Sequence, residues 1–496
     1  MNKHNLLIKK IKKQILSIND LIESSFNKLK YFISNYKKII LNKDNRVFLG
    51  TGIAAILTLF YFLIPTLYNK NIIQSQIKNQ ILKNYNIKLK FNEKINYGLL
   101  PKPHFSAKNL SIFHGEKEIG MAKNFRIFIK AGKFFSINKI DIKDLVFIKT
   151  DFNINLNDGS FFKNLLKTEP NENKIQIKNS NIFFKNDNDE VLFINKIYNS
   201  KFYYDAQNLE NILSSKNEIF NIPYKLVIKN DKFNKLVFSQ FNSKKIRLSI
   251  ENKIDYNELV KIGLLDILFV NKNASLNFEI KKNSLSFTSE DKKDLYKGLM
   301  YFKPFHLSAN FNYDGLSSKY FFKDDTILVD LIKSEILNNS NLNLEINLNV
   351  KNIINVNELN NLILNFSIQQ GNLNFSNSSI MWKKDMKIIL TESLLNYDGE
   401  EINLIGKFVI KFQNPENFYS SFQVKKVHRK KIDQMQFDFV YNFDQKKISF
   451  DNVRVDNIQS NELDKYIDDF NKTDKGIFNK ITFKNFVSNF FGIYAG

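Results

Sequence analysis

The chain has 496 residues, 43% of them hydrophobic and 25% charged, which is enough to bury a sizeable core and too apolar for wholesale disorder. Its 16 glycines and 7 prolines exclude collagen-like and linker architectures, and the lack of cysteine excludes disulfides, thiolate metal sites, iron–sulfur clusters and cysteine nucleophiles. A net charge of +23 suits an anionic partner, but it arises from lysine in a composition equally rich in asparagine, isoleucine and phenylalanine; arginine, whose planar fork contacts phosphates and bases, is rare, which argues against nucleic acid.

In chain order, residues 1–46 form a basic leader with eleven Lys and Arg against three acids. Its apolar residues (Leu7, Ile11, Ile15, Ile18, Ile22, then Leu29, Phe32, Tyr36 and Ile40) recur at helical spacing. That spacing suits either an amphipathic helix on an anionic leaflet or a helical hairpin in water. Residues 47–67, VFLGTGIAAILTLFYFLIPTL, carry no charge. At ~1.5 Å per residue they span roughly 30 Å, the hydrocarbon thickness of a bilayer. The long segment before this run and the lack of a small-x-small site after it argue for a transmembrane anchor over a cleaved signal. The positive leader places the N-terminus in the cytoplasm and the rest of the chain across the membrane.

Ile72, Ile73, Ile77, Ile81, Leu82 and Tyr85 predict an amphipathic connecting helix within 68–86. From residue 87 the pattern changes to alternation, and 87–455 reads as a β-rich domain. Phe125, Ile127 and Ile129 share a face, as do Phe152, Ile154 and Leu156. The clearest runs are Leu342, Leu344, Ile346, Leu348 and Val350, then Leu362, Leu364, Phe366 and Ile368. Turn signals at Asp158-Gly159, 186–190 and Asp398-Gly399 separate candidate strands. Helical interruptions are expected near 161–166, near 260–268 and in an amphipathic C-terminal cap over 456–496. The fold class expected is mainly β: a transmembrane helix followed by an elongated, curled antiparallel sheet with a few short helices. Such a sheet must fold on itself, close, or curl into a groove whose apolar lining meets something else.

Signals for chemistry are weak. The five histidines lack metal-ligand spacing, and the acidic run 186–190 lacks the glycine and distant glutamate of a calcium loop. No nucleophile elbow, phosphate-binding loop or kinase signature occurs. The expectation is a non-enzyme with no catalytic or metal residue and no cofactor. The basic run 425–431 suits either anionic headgroups or a solvated turn.

From the anchor to about residue 156 the chain resembles the start of the AsmA-like family. The order is basic leader, span, amphipathic helix and first strand, followed by Tyr97-Gly98-Leu99-Leu100-Pro101-Lys102-Pro103-His104-Phe105, similar to the family's Pro-containing element. That element runs into Lys108-Asn109-Leu110-Ser111-Ile112 and then strands over 122–130 and 137–149, where Ile140-Asp141-Ile142-Lys143-Asp144-Leu145 resembles a family strand. Gly371-Asn372-Leu373-Asn374-Phe375 and Glu401-Ile402-Asn403-Leu404-Ile405-Gly406 resemble its C-terminal strand array. The resemblance implies an inner-membrane-anchored periplasmic β-groove protein of Gram-negative bacteria that moves phospholipid and supports outer-membrane assembly. Its ligands would be membrane phospholipids, its candidate partners inner- or outer-membrane proteins, and the alternating residues named above would line the groove. The rival reading is a scaffold for outer-membrane protein assembly with a closed β core.

Overall fold

The computed structural model describes residues 43–135, 139–155, 173–186, 188–255, 261–269, 272–281, 283–290, 295–302, 304–317, 339–397, 401–472 and 480–495, with residues 24 and 28. Most of the leader, Leu156, the turns at Asp158-Gly159 and Asp398-Gly399, and the helix expected near 161–166 lie outside these residues. The chain divides into two compact units, the first comprising 1–76, 96–105 and 128–141 and the second 77–95, 106–127 and 142–496.

The first unit is organised by helix α1 (Lys43–Leu63), which ends in a 3-10 turn over Ile64–Leu67. Pro65 opens that turn, where its missing N–H costs no hydrogen bond. Asn69 then restarts the helix: its Oδ1 accepts from the backbone N–H of Asn71 at 3.0 Å and of Ile72 at 3.4 Å, capping α2 (Lys70–Tyr85). In α2, Ile73, Ile77, Ile81 and Tyr85 are buried, as their spacing predicts, whereas Ile72 and Leu82 flank that stripe and stay exposed.

The strands in chain order are β1 (Lys88–Phe91), β2 (Asn96–Gly98), β3 (His104–His114), β4 (Lys117–Ile129), β5 (Ile142–Asn155), β6 (Lys174–Lys185), β7 (Val191–Asp205), β8 (Glu210–Ile219), β9 (Ile222–Asp231), β10 (Leu236–Ser243), β11 (Leu248–Asp255), β12 (Lys261–Phe269), β13 (Lys272–Ile280), β14 (Ser284–Ser289), β15 (Leu295–Phe302), β16 (Phe305–Ser317), β17 (Asn343–Ile354), β18 (Leu359–Gln369), β19 (Asn372–Asn374), β20 (Ser378–Trp382), β21 (Met386–Tyr397), β22 (Ile402–Phe412), β23 (Gln434–Asn442), β24 (Lys447–Val455) and β25 (Ile458–Gln459). The second unit is mainly β, and its strands form one long curled sheet. β1 pairs with β3 (Leu89 opposite Ile112), and from β3 onward each strand pairs with its neighbour in the chain as far as β18. β19 and β20 then both bridge β18 and β21, and the ladder continues to β25.

The expected class, mainly β with a long curled sheet, is the one observed; within it, among the described registers, β5–β6 (Phe147 opposite Ile177) and β16–β17 (Ala309 opposite Ile346) are parallel and the others antiparallel. A parallel pair needs a connection long enough to return the chain to the same end of the sheet, and residues 156–173 and 318–342 supply that length. The helix expected near 260–268 is strand β12, paired residue for residue with β11 and β13. A short, nearly continuous apolar run is ambiguous between helix and strand, and here two flanking strands satisfy its backbone.

Hydrophobic packing differs along the second unit. Near its start, Phe125 is fully buried, with its ring 4.6 Å from that of Phe147 and 6.4 Å from Phe91, over which Lys78 of α2 places its ammonium at 5.7 Å. At the other end of the ladder, α3 (Pro415–Ser421), α4 (Asn461–Lys472) and α5 (Lys480–Ala495) bury Phe418, Tyr419, Leu463, Ile467, Phe490 and Phe491 with Met435, Val453 and Val455 of β23 and β24. Within 456–496, where an amphipathic cap is expected, the described residues include β25, α4 and α5.

Candidate functional site

Between those two packed ends the sheet has one apolar face. Residues directly opposite in a ladder share a face, so register alone maps it. One row runs Leu145, Ile175, Phe202, Leu213, Ile228, Ser239, Asn252, Leu265 and Leu276 across β5 to β13. Two residues along, a second row runs Val237, Ile254, Gly263, Phe278, Phe287, Gly298, Ala309, Ile346 and Phe366 across β10 to β18. A third parallels it: Ile280, Leu285, Met300, Leu307, Leu344, Ile368 and Leu373. At ~4.8 Å per strand, the apolar face extends about 60 Å along the ladder from β5 to β18.

The opposite face carries polar pairs alongside exposed apolar side chains such as Ile262, Leu268 and Ile363. Asn347 donates to Asn310 at 3.1 Å and Asn349 to Asn312 at 2.9 Å, while Lys351 pairs with Asp314 at 2.7 Å. On β7 and β8, Lys196 and Tyr198 donate to Glu218 at 2.8 and 2.6 Å, and these hydrogen bonds hold its carboxyl below the usual range.

Polar side chains also border the apolar floor. Tyr224 donates to Asn195 Oδ1 at 2.8 Å and stacks on Phe241 with centroids 4.9 Å apart, beside Asn217, which accepts from Ser215 Oγ at 2.6 Å. Burial pushes the Tyr224 phenol up to about 12, so at neutral pH it remains a hydrogen-bond donor. Two residues beyond the floor positions Leu213 and Ile228, Asn211 and Asn230 face each other and are buried. Asn252, a polar interruption in the first row, buries an Oδ1 that has no hydrogen-bond partner among the described residues. The arrangement is an apolar floor with amide and phenol groups along its borders.

Glycines keep part of the floor low. The Phe278 ring lies over Gly263 and the Phe287 ring over Gly298: a Cβ on Gly298 would stand 2.3 Å from Phe287 Cζ and 2.9 Å from the Ser308 carbonyl oxygen. Gly298→Ala is expected to lift the Phe287 ring and destabilise the protein by about 1–3 kcal/mol in denaturant unfolding, as overpacking does. Phe287→Leu in the same chain should recover part of that loss, because the shorter side chain clears the new methyl.

The structure distributes the residues expected from alternation among different environments. Phe125, Ile127, Phe152 and Ile154 are buried in the second unit, and Ile129 is buried in the first. Leu344, Ile346, Leu348, Leu362, Leu364 and Phe366 lie together on β17 and β18 and are half-buried, while Val350 and Ile368 on the same strands are buried. Leu342, Leu344 and Phe366 pack against a cluster of Ile368, Leu373 and Ile402. The floor across β6 to β16 was not among the expected residues. The alternation of Leu276, Phe278 and Ile280 with Asn277 and Glu279 carries the signal, whereas the Asn–Tyr border carries none in sequence.

In the first unit, Leu49–Leu67 is the one segment among the described residues long and apolar enough to cross a membrane. Ile56, Leu57 and Phe60 project from it without covering groups. At its C-terminal end an aromatic collar gathers. Tyr61 stacks on Phe134 at 5.4 Å and donates to the Ala131 carbonyl, Tyr68 donates to the Phe134 carbonyl at 2.6 Å, and Tyr97 donates to the Phe62 carbonyl at 2.6 Å. Aromatic rings with a polar tip concentrate where hydrocarbon meets water. Among the described residues, no group of three or more His, Cys, Asp or Glu is placed to hold a metal ion. No protein-family model matches the chain, and no curated protein matches it.

Proposed function

We propose that the chain is an AsmA-like inner-membrane protein whose second unit, in the periplasm, binds phospholipid on its apolar sheet face and passes it along the ladder, supporting outer-membrane assembly and lipid homeostasis. The observation that carries this reading is the register-aligned apolar face from β5 to β18, half-buried on β17 and β18 rather than sealed. Leu145, Ile175, Phe202, Leu276, Phe278 and Ala309 in the same rows are buried by the chain itself, and acyl chains are a matching cover for the half-buried stretches between them. The amides and phenol at its borders suit the polar ends of the same molecules. α1 supports the anchor, and the basic leader supports a cytoplasmic N-terminus. The closed cluster at the last strands favours the scaffold reading for that end of the sheet alone.

Site-specific photocrosslinking in cells tests the proposal. A photoreactive residue at Ile346 should give phospholipid adducts, while one at the neighbouring Asn347, on the opposite face, should not. No adduct at Ile346, or equal adducts at both, would remove the basis for a lipid-bearing face.

A further inference from the structure

The C-terminal cap carries a loop that lipid binding by the sheet does not use. Residues 425–431 read Lys-Lys-Val-His-Arg-Lys-Lys and connect α3 to β23. Their backbone is fastened from inside. Arg429 donates through Nε to the Val424 carbonyl at 3.0 Å, and through a guanidinium nitrogen to Ser420 Oγ and to Glu416, both at 3.3 Å. Tyr419, fully buried, donates to the Lys430 carbonyl at 2.6 Å. Lys430 in turn donates to the Tyr494 carbonyl at 3.4 Å and sits 5.5 Å over that ring.

What this scaffold holds outward is Val427, 81% exposed, flanked by exposed Lys425, Lys426 and Lys431. None of these three lysines is in a salt bridge among the described residues. Phe422, at the base of the loop, meets Phe483 edge-on at 5.5 Å, which places the first turns of α5 alongside; there Ile481 is 72% exposed. A solvated turn has no use for an apolar tip held rigid among lysines. A rigid apolar tip ringed by cations is complementary to a surface that is anionic outside and apolar a few ångströms deeper.

We propose that this loop docks the cap onto an anionic lipid bilayer, with Val427 and Ile481 entering the headgroup–acyl boundary and Lys425, Lys426 and Lys431 on headgroup phosphates. An acidic protein surface would match the lysines and leave the apolar tip unexplained. This docking does not depend on lipid binding by the sheet, because tethering and transfer are read separately.

The test uses the full chain reconstituted in phosphatidylcholine vesicles, with acceptor vesicles of phosphatidylcholine alone or mixed equimolar with phosphatidylglycerol. Tethering is followed by energy transfer between labelled vesicles. Tethering of the anionic acceptors only, weakened by salt, is the expected result. Lys425→Glu/Lys426→Glu/Lys431→Glu should reduce it about tenfold or more, and Val427→Asp should reduce it at salt concentrations where the wild type still tethers. The same charge change at exposed Lys244 and Lys297 should leave it unchanged, and all variants should keep the wild-type thermal transition because the substituted side chains lie outside the core. Equal tethering by the triple variant, an equal loss in the Lys244/Lys297 control, or equal tethering of neutral acceptors would overturn the proposal. Indifference to Val427→Asp together with full competition by polyglutamate would replace the bilayer with a general polyanion.

Discussion

Leu344→Asp/Leu348→Asp should lower the phospholipid that co-purifies with the chain, and its transfer between vesicles, by at least about tenfold while the protein remains folded and inserted. Both side chains sit on the apolar face of β17, where Leu344 lies opposite Leu307 and Ile368, and Leu348 lies opposite Phe311 and Leu364. Each buried methylene of an acyl chain contributes about 0.8 kcal/mol, so excluding even a few from the floor removes more than tenfold in affinity. A carboxylate there must also stay hydrated, which holds water where the chain would lie. Because both leucines are only half-buried, the charges can reach solvent without crossing a closed core. Phosphorus per chain and a thermal unfolding curve measured on one preparation separate the readings: lost lipid with an intact transition supports a lipid-bearing face, and a lost transition supports a closed core.

Phe491→Ala should have the largest effect on stability of any single truncation in the cap, about 3–5 kcal/mol. The ring is 1% exposed and meets Tyr419 edge-on at 5.0 Å, Phe490 at 5.4 Å and Phe418 at 5.9 Å. Those partners come from both α3 and α5, so the cavity would loosen the contact between two elements. A loss of 3 kcal/mol corresponds to a hundredfold or greater increase in opening, which amide exchange would register. Faster exchange is expected in β23, β24 and the cap helices, with β7 to β10 unchanged. Uniformly faster exchange would mean that the second unit unfolds as one cooperative block.

Period-two alternation made the strands legible: the Leu342-to-Val350 run and the Leu362-to-Ile368 run pair with each other as their patterning demands. The stripe on α2 was equally plain because its period is local. The two parallel joints were not legible, since the direction in which a strand is joined depends on a partner chosen by the intervening chain. Strand β12 was misread because its leucine and isoleucine run gives no alternation to count, and its backbone partners lie on separate strands. The apolar face suffered a similar loss: Ser239, Gly263 and Gly298 look like interruptions in sequence. Only the register reveals that a phenylalanine on the next strand covers each of the two glycines.

The two parallel joints also bear on how long such a sheet can become. β6 enters the ladder running in the same direction as β5, and β17 in the same direction as β16, so β6 to β16 form a block joined to the rest by identical seams. Adding or deleting one hairpin inside that block preserves the direction of every strand outside it and alters the span by roughly 10 Å. Reach is therefore a quantity that insertion and deletion can adjust in even steps, with the first strands and the capped end retained as they are.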